Sequence, residues 1–343
     1  MKIPSLFQPF RCKLKTPQSQ LGRSESVPLD RWIASDSIRL MGGARWKAAV
    51  LAAAMVVGLG SAMTPTALAA APQVVKVLSL NVRLDSEAGA DKIADLIRKS
   101  RADIVGLQES SQKTEAIAKH LGYQWQQQGE GTAVLTRYQI VGTTPKKHGV
   151  EVQLPDGHKL MVFNLHLHHI PYQPYQLLNI PYGDHPFVSS EEEAVEQAQA
   201  ARGHEVQEAI SEIREVQGPL VVTGDFNEPS HLDWTERAVR AKRHPIAVAW
   251  PTSQAMQQEG LKDSFRELYP DEVTHPGFTW NPLTNPADAN DHHDRLDFVL
   301  YRGEGLKPVA VDIVAEKESA GSIVVNPYPT DHRGVLTCFE WNR

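Results

Sequence analysis

The sequence of 343 residues is 41% hydrophobic, enough to bury the core of one large domain or two. Its net charge of −6 exerts no long-range pull on a polyanion, which argues against a sequence-independent nucleic-acid binder. Of two cysteines, Cys12 falls in a leader segment, so Cys338 has no intrachain disulfide partner in the processed chain and reads as core.

Residues 1–40 mix Pro, Ser, Gln and basic residues without periodicity. They read as an unstructured upstream extension, or as a start assigned too far upstream if Met41 is the initiator. Residues 41–69 carry the pattern of a signal peptide: Arg45 and Lys47, an apolar run from Ala48 to Met63, then Pro65 and Ala67-Leu68-Ala69. Cleavage is expected after Ala69, giving a secreted or periplasmic protein with no stable membrane anchor. The rival, an uncleaved anchor, suffers because the apolar run falls short of the roughly 20 residues a bilayer needs. Residues 1–69 hold nine Lys or Arg against three Asp or Glu, so their loss takes the net charge from −6 to about −12.

Residues 70–343 read as one domain. Val74 to Arg83 alternates as a strand and delivers Asn81 to its carboxyl end. Ile93, Leu96 and Ile97 repeat at helical spacing, and Asp103 to Gln108 is a buried strand ending in Glu109. A short helix with Ile117 and Leu121 closes at Gly122, and Gly131 to Arg137 is another strand. Glu151–Leu154 and Lys159–Phe163 flank Pro155-Asp156-Gly157-His158 as a hairpin that runs on to Asn164-Leu165-His166-Leu167. His168 to Val188, rich in Tyr, Pro and His, is too long for a tight connection and is expected to lie over an active face. Ser189 and Ser190 before three glutamates start a helix, with Val206, Ile210 and Ile213 on its buried side and Gly218 ending it.

Val221-Val222-Thr223-Gly224-Asp225-Phe226-Asn227 then ends a buried strand, placing a carboxylate and a carboxamide on the same side of the chain. Such a pair suits hydrolysis, the carboxylate orienting and deprotonating a water while the amide donates to a developing oxyanion. Further polar strand ends follow at Arg295-Leu296-Asp297-Phe298 and Thr330-Asp331-His332-Arg333. His292 and His293 read as solvated loop residues, Arg295 as a brace for the Asp297 loop, and Trp280 as core. Short strands with few long helices favour two packed sheets with outer helices over a doubly wound parallel sheet.

Carboxylate and amide oxygens at the ends of several strands suit a hard divalent ion such as Mg²⁺. His166 and His332 lack thiolate partners and His-Glu-x-x-His spacing, which disfavours structural zinc. The ordered motifs Ser-Leu-Asn-Val-Arg, Leu-Gln-Glu, Asn-Leu-His-Leu, Gly-Asp-Phe-Asn, Arg-Leu-Asp-Phe and Thr-Asp-His-Arg-Gly-Val resemble those of the exonuclease/endonuclease/phosphatase superfamily, over residues 74–340. The resemblance implies an α/β fold, a four-layer sandwich of two mixed β-sheets flanked by helices, and metal-dependent phosphoester hydrolysis. It implies Glu109 as principal Mg²⁺ ligand with Asn81 and Asp331 near it, Mn²⁺ and Ca²⁺ being the alternative ions. His332 would be general base or phosphate contact, held by Asp297. Asp225 would position the attacking water, and Asn227 would bond phosphoryl oxygens. His166 would be general acid, as in deoxyribonuclease- and sphingomyelinase-like members, with Glu130 as its carboxylate partner. Apart from the resemblance, the dense cluster of His166, His168 and His169 with Tyr172, Tyr175 and Tyr182 reads either as the lining of a substrate pocket or as a surface loop merely rich in aromatic and His residues.

The function expected is a secreted, monomeric phosphodiesterase, since a histidine acid helps expel an alkoxide. A small organic or lipid-headgroup phosphodiester stands ahead of DNA or RNA because the mature chain is acidic and has no Lys/Arg-rich stretch to track a backbone. The alternatives are an extracellular nuclease, a phosphomonoesterase, or an inactive fold reused for binding.

Overall fold

The computed structural model describes residues Gln73–Trp341; the extension, the signal segment and the cleavage position lie outside the described residues. The chain runs β1 (Gln73–Asn81), α1 (Ala90–Ser100), β2 (Ile104–Gln108), α2 (Thr114–Leu121), β3 (Gln124–Gln127), β4 (Ala133–Thr136) and β5 (Gln139–Thr143). It continues through β6 (Gly149–Gln153), β7 (Lys159–His166), α3 (Gln173–Leu178), α4 (Glu191–Glu215), β8 (Leu220–Asp225), α5 (Glu236–Arg240) and α6 (Pro251–Gln258). Last come β9 (Lys262–Asp263), α7 (Ser264–Leu268), β10 (Asp297–Arg302), β11 (Leu306–Ala315), β12 (Ile323–Val324) and β13 (Gly334–Trp341).

These strands form two mixed sheets, one ordered β12-β11-β13-β1-β2-β4-β3 and the other β5-β6-β7-β8-β10-β9. The period of two explains the layers. On β1, Val75 and Val77 enter the core between the sheets, while Leu78 and Leu80 face the helix layer with Ile93, Leu96 and Ile97 of α1. On β8, Val221 joins the central core and Val222 packs toward Val206, Ile210 and Ile213 of α4. Burying each such side chain contributes roughly 1.5–3 kcal/mol. The result is the four-layer α/β sandwich, helix, sheet, sheet, helix.

The hairpin forms as expected between β6 and β7. α4 starts where the serines place it: Ser190 Oγ accepts from the Glu193 amide at 3.2 Å, and the Ser189 amide donates to the Glu193 carboxylate at 2.7 Å. It ends at Glu215, before Gly218. Cys338 is buried in β13. No helix among the described residues is long and apolar enough to cross a membrane.

Between the sheets the same faces change from apolar to polar toward one end. After Val75 and Val77, β1 presents Ser79 and Asn81; after Val221, β8 presents Thr223 and Asp225; after Val162, β7 presents Asn164 and His166. A polar seam results. Ser79 Oγ accepts from the Gly224 amide at 3.0 Å, and Asn164 Oδ1 accepts from Gln108 Nε2 at 2.6 Å and from Thr223 Oγ1 at 3.0 Å. Gly106 is required there, because a Cβ would stand 2.0 Å from Thr223 Oγ1 and 2.5 Å from Asn164 Oδ1.

Candidate active site

Beyond the seam the strand ends converge. β7 and β8 pair in parallel with His166 opposite Asp225, and β10 pairs antiparallel to β8 with Asp297 opposite the same Asp225. Three adjacent strands thus present His166, Asp225 and Asp297 in a row. From the facing sheet, Asn81 on β1 donates through Nδ2 to Glu109 Oε1 and to Asp225 Oδ2, both at 2.9 Å. Glu109 follows β2 with φ of 55°, in the left-handed region, and its Oε2 accepts from the Leu84 amide at 2.9 Å. Arg83 and Asn227, at φ of 53° and 48°, share that uncommon backbone, so strained non-glycine residues gather at this edge.

Asp225 Oδ2 is the centre of the arrangement. His166 Nε2 lies 3.8 Å from it and His332 Nε2 lies 3.7 Å from it, beyond direct hydrogen bonding but aimed at one space. His166 Nε2 is also 3.7 Å from Glu109 Oε1. Asp225 is 1% exposed, while the Glu109 side chain is 31% exposed, so the cluster opens to solvent on the Glu109 side.

His332 Nδ1 meets Asp297 Oδ2 at 2.9 Å, both groups buried. Burial raises the Asp297 carboxyl and the His332 charge pulls it back. Burial likewise opposes charge on His332, but the carboxylates of Asp297 and Asp225 outweigh it and raise the imidazole. The balance favours a proton on His332, whose Nε2 faces Asp225. The pair is framed by Thr279, whose Oγ1 accepts from the amides of Leu296 and Asp297 at 2.9 and 3.1 Å. Thr330 Oγ1 donates to the Asn81 carbonyl at 2.9 Å and ties the His332 loop to β1.

Several residues occupy positions that their motifs did not disclose. Asn81 Oδ1 accepts from the Arg83 amide at 2.9 Å, so Asn81 turns its NH₂ to the carboxylates and holds them rather than offering an oxygen. Asp331 lies outside the groups whose ligand atoms cluster, with Oδ2 3.6 Å from Arg83 Nε. Asn227 Nδ2 donates to the Leu167 carbonyl and its amide to Asp225 Oδ1, at 2.9 and 3.0 Å. Glu130 is not the partner of His166. It is exposed in the turn before Gly131, and the carboxylates within 4.0 Å of His166 are those of Glu109 and Asp225.

The loop after β7 divides its residues differently from the expectation. The His168 side chain is exposed and its backbone is anchored, the amide on Glu205 and the carbonyl on Arg202. The His169 side chain is exposed as well; partial burial and the neighbouring His168 and His166 lower its pKa, while Glu109 and Asp225 pull it up. Tyr182, raised by burial and by Glu109, is also within the site's field. Tyr172 and Tyr175 do not line an open pocket, because their hydroxyls donate to Asp294 at 2.6 Å and to Asp291 at 2.5 Å. Both rings pack on Trp280, which is half-buried instead of core.

Arg295 is a brace, 2% exposed, with Asp233 and Asp263 at 2.9 and 2.8 Å, so it has no reach to a phosphate. His292 and His293 are not solvated as expected: His293 is 5% exposed and the His292 side chain 16%. Their burial comes from packing against residues far away in sequence, which local composition does not reveal.

Comparison with known proteins places this geometry. The model of the Endonuclease/Exonuclease/phosphatase family matches residues 78–332. The uncharacterized protein F14F9.5 of Caenorhabditis elegans is 29% identical over 282 residues, covering 74% of this chain and 87% of its own. Among solved structures, an endonuclease/exonuclease/phosphatase from Beutenbergia cavernae superposes with a TM-score of 0.50 at 16% identity, covering 79% of this chain and 72% of its own. A 3′ phosphatase, NExo, from Neisseria, bound to a product DNA hairpin, gives a TM-score of 0.48 at 20% identity, covering 78% and 100%. The chain belongs to the endonuclease/exonuclease/phosphatase family and is a metal-dependent phosphoric ester hydrolase.

Proposed function

We propose that this protein is an exported Mg²⁺-dependent phosphodiesterase that hydrolyses a small organic or lipid-headgroup phosphodiester by in-line attack of water. One observation carries the reading: two imidazoles, on His166 and His332, approach the same Asp225 oxygen at 3.8 and 3.7 Å beside the open carboxylate of Glu109.

The donor set fits a hard divalent ion. Among the described residues, no Lys or Arg lies within 4.0 Å of the Glu109 or Asp225 carboxylates, although Asn81 draws the two together. Solvent-open carboxylate oxygens with no Lys or Arg on them, as those of Glu109 are, suit Mg²⁺. Glu109 would hold the ion, with Asp331 at the Arg83 flank. When bound, the ion neutralises charge developing on the phosphoryl oxygens and the leaving oxygen.

Asp225 orients the water and takes its proton as the new P–O bond forms. His166 gives a proton to the departing alkoxide as the old P–O bond breaks. His332, kept charged by Asp297, donates toward a phosphoryl oxygen, and Asn227 offers its second amide hydrogen there. The imidazolium state makes His332 a phosphate contact in preference to a general base.

The substrate class rests on what surrounds the site. Leu84, whose amide binds Glu109, is 55% exposed, and Tyr182, within the field of Glu109, is 41% exposed. Apolar surface beside the carboxylates, with an acidic mature chain, suits a substrate bearing an apolar group better than a polyanion. Export rests on the basic, apolar and small-residue pattern of residues 41–69.

The test is a panel of phosphoesters with Mg²⁺ or with chelator: a chromogenic phosphodiester, phosphatidylcholine and sphingomyelin vesicles, a phosphomonoester, and supercoiled plasmid. Turnover of the diester and lipid arms, lost on chelation, is expected. Plasmid nicking at catalytic enzyme amounts, with the lipid arms silent, overturns the substrate class. Amino-terminal sequencing of the exported protein should begin at Ala70; an intact leader in the membrane fraction overturns export.

A further inference from the structure

Away from the strand ends, three side chains from two distant segments meet round a point that phosphoester chemistry does not use. His244 lies in the loop after α5, and His292 and Asp294 lie in the run leading to β10. His244 Nδ1 stands 3.1 Å from His292 Nε2, which stands 3.8 Å from Asp294 Oδ1, and all three atoms fall within 4.8 Å of one another.

A hydrogen bond between the rings accounts for only part of this. A proton on His292 Nε2 can point at His244 or at Asp294 but not at both. Asp294 is 2% exposed, and its ion-pair contact among the described residues is with His292. A buried carboxylate facing two imidazoles calls for a positive charge at their common centre. Tetrahedral Zn²⁺, with bonds of about 2.0–2.1 Å, separates its ligand atoms by roughly 3.3 Å, between the two distances observed.

The surroundings hold these ligands as metal ligands are held. Asp294 Oδ1 accepts from Trp234 Nε1 at 2.9 Å, and Oδ2 accepts from Tyr172 at 2.6 Å, so both oxygens are oriented. The His244 ring stacks on Trp234 with centroids 4.2 Å apart and planes 15° apart. A cleft of about 580 Å³, lined by Lys242, Arg243, His244, His292 and His293, leads in from solvent.

We propose that His244, His292 and Asp294 form a second metal centre, selective for a zinc-class ion, with its remaining position open to the cleft. Two imidazoles and one carboxylate favour Zn²⁺ over Mg²⁺, the reverse of the oxygen-rich strand-end site. The ion would clamp the loop after α5 to a segment three residues before Asp297, and so steady the carboxylate that holds His332.

Zinc binding by the metal-stripped protein, measured in excess Mg²⁺ by competition with a chelating dye, tests this. The wild type and Glu109→Ala are expected to bind one Zn²⁺ per chain at this centre, and His292→Ala to lose at least ~100-fold in affinity. Co²⁺ should give a tetrahedral visible band in the first two and none in the third. Saturating Zn²⁺ should raise Tm by roughly 5 °C in the wild type, and not in His292→Ala. His244→Gln must show the same loss, and it decides alone if His292→Ala does not fold. Unchanged zinc affinity in these variants, or zinc lost in Glu109→Ala and kept in His292→Ala, overturns the proposal. So does a wild type that takes up no zinc at micromolar concentration.

Discussion

The strand ends and the loops beside them are built by different rules. On β1, β7 and β8 a side chain's face and depth follow from its place in an alternating strand, so Asn81, His166 and Asp225 reach one edge because Val75, Val162 and Val221 are core. In the loops, Tyr172, Tyr175 and His244 are placed by partners 122, 116 and 48 residues away, namely Asp294, Asp291 and His292. The first region places chemistry by local periodicity; the second places it by long-range packing. Reactive groups on strands are therefore held rigidly with little local choice, whereas loop groups take their role from whatever they meet.

Perturbing the strand ends should remove chemistry while leaving the fold intact. Asp225→Asn is expected to lower kcat/KM by about 10³-fold or more while the protein still unfolds cooperatively, since it removes the water's acceptor and, in the fold, only one of the hydrogen bonds from Asn81 and the Asn227 amide. Steady-state kinetics beside calorimetry checks this, and activity within tenfold of wild type would break the contrast.

Asp297→Asn should lower kcat/KM by about 10²-fold and move the alkaline limb of the pH–rate profile. Because the Asp297 carboxylate raises the His332 pKa, its loss lets the imidazolium deprotonate at lower pH, so the limb shifts downward. The same sign governs stability. A folded pKa above the unfolded value stabilises fully below the unfolded value near 6.5, and that contribution disappears as pH rises through the raised folded value. Wild type should thus lose Tm on the alkaline side faster than Asp297→Asn does.

Gly106→Ala probes the seam under the site. A methyl group 2.0 Å from Thr223 Oγ1 forces the sheets apart, and destabilisation of about 1–3 kcal/mol is expected by chemical denaturation. Glu130→Gln should have the smallest effect, under about twofold in kcat/KM, because the residue is exposed and His166 faces Glu109 and Asp225 instead. A large loss in that variant would return a catalytic role to the turn before Gly131.

Legibility in the sequence tracks the same division. The strands ending in Asn81, Gln108, His166 and Asp225 were readable, because apolar alternation followed by a polar residue names both the buried face and the exposed end. The helix start at Ser190 was readable from its capping chemistry. His292 and His293 read as solvated because nothing local distinguishes a buried histidine loop from an exposed one. Glu130 stands as a partner only through the family resemblance, and a place in a motif pattern says nothing about distance across a turn.

By itself the sequence determined two packed sheets and the polar residues at their ends, because a period of two leaves a side chain only two faces. Tertiary structure alone decided that Asn81 turns its NH₂ to the carboxylates, that Tyr172 and Tyr175 bond Asp294 and Asp291, and that His244 meets His292 and Asp294. Those choices depend on contacts made only once distant segments have packed, and no local pattern encodes them.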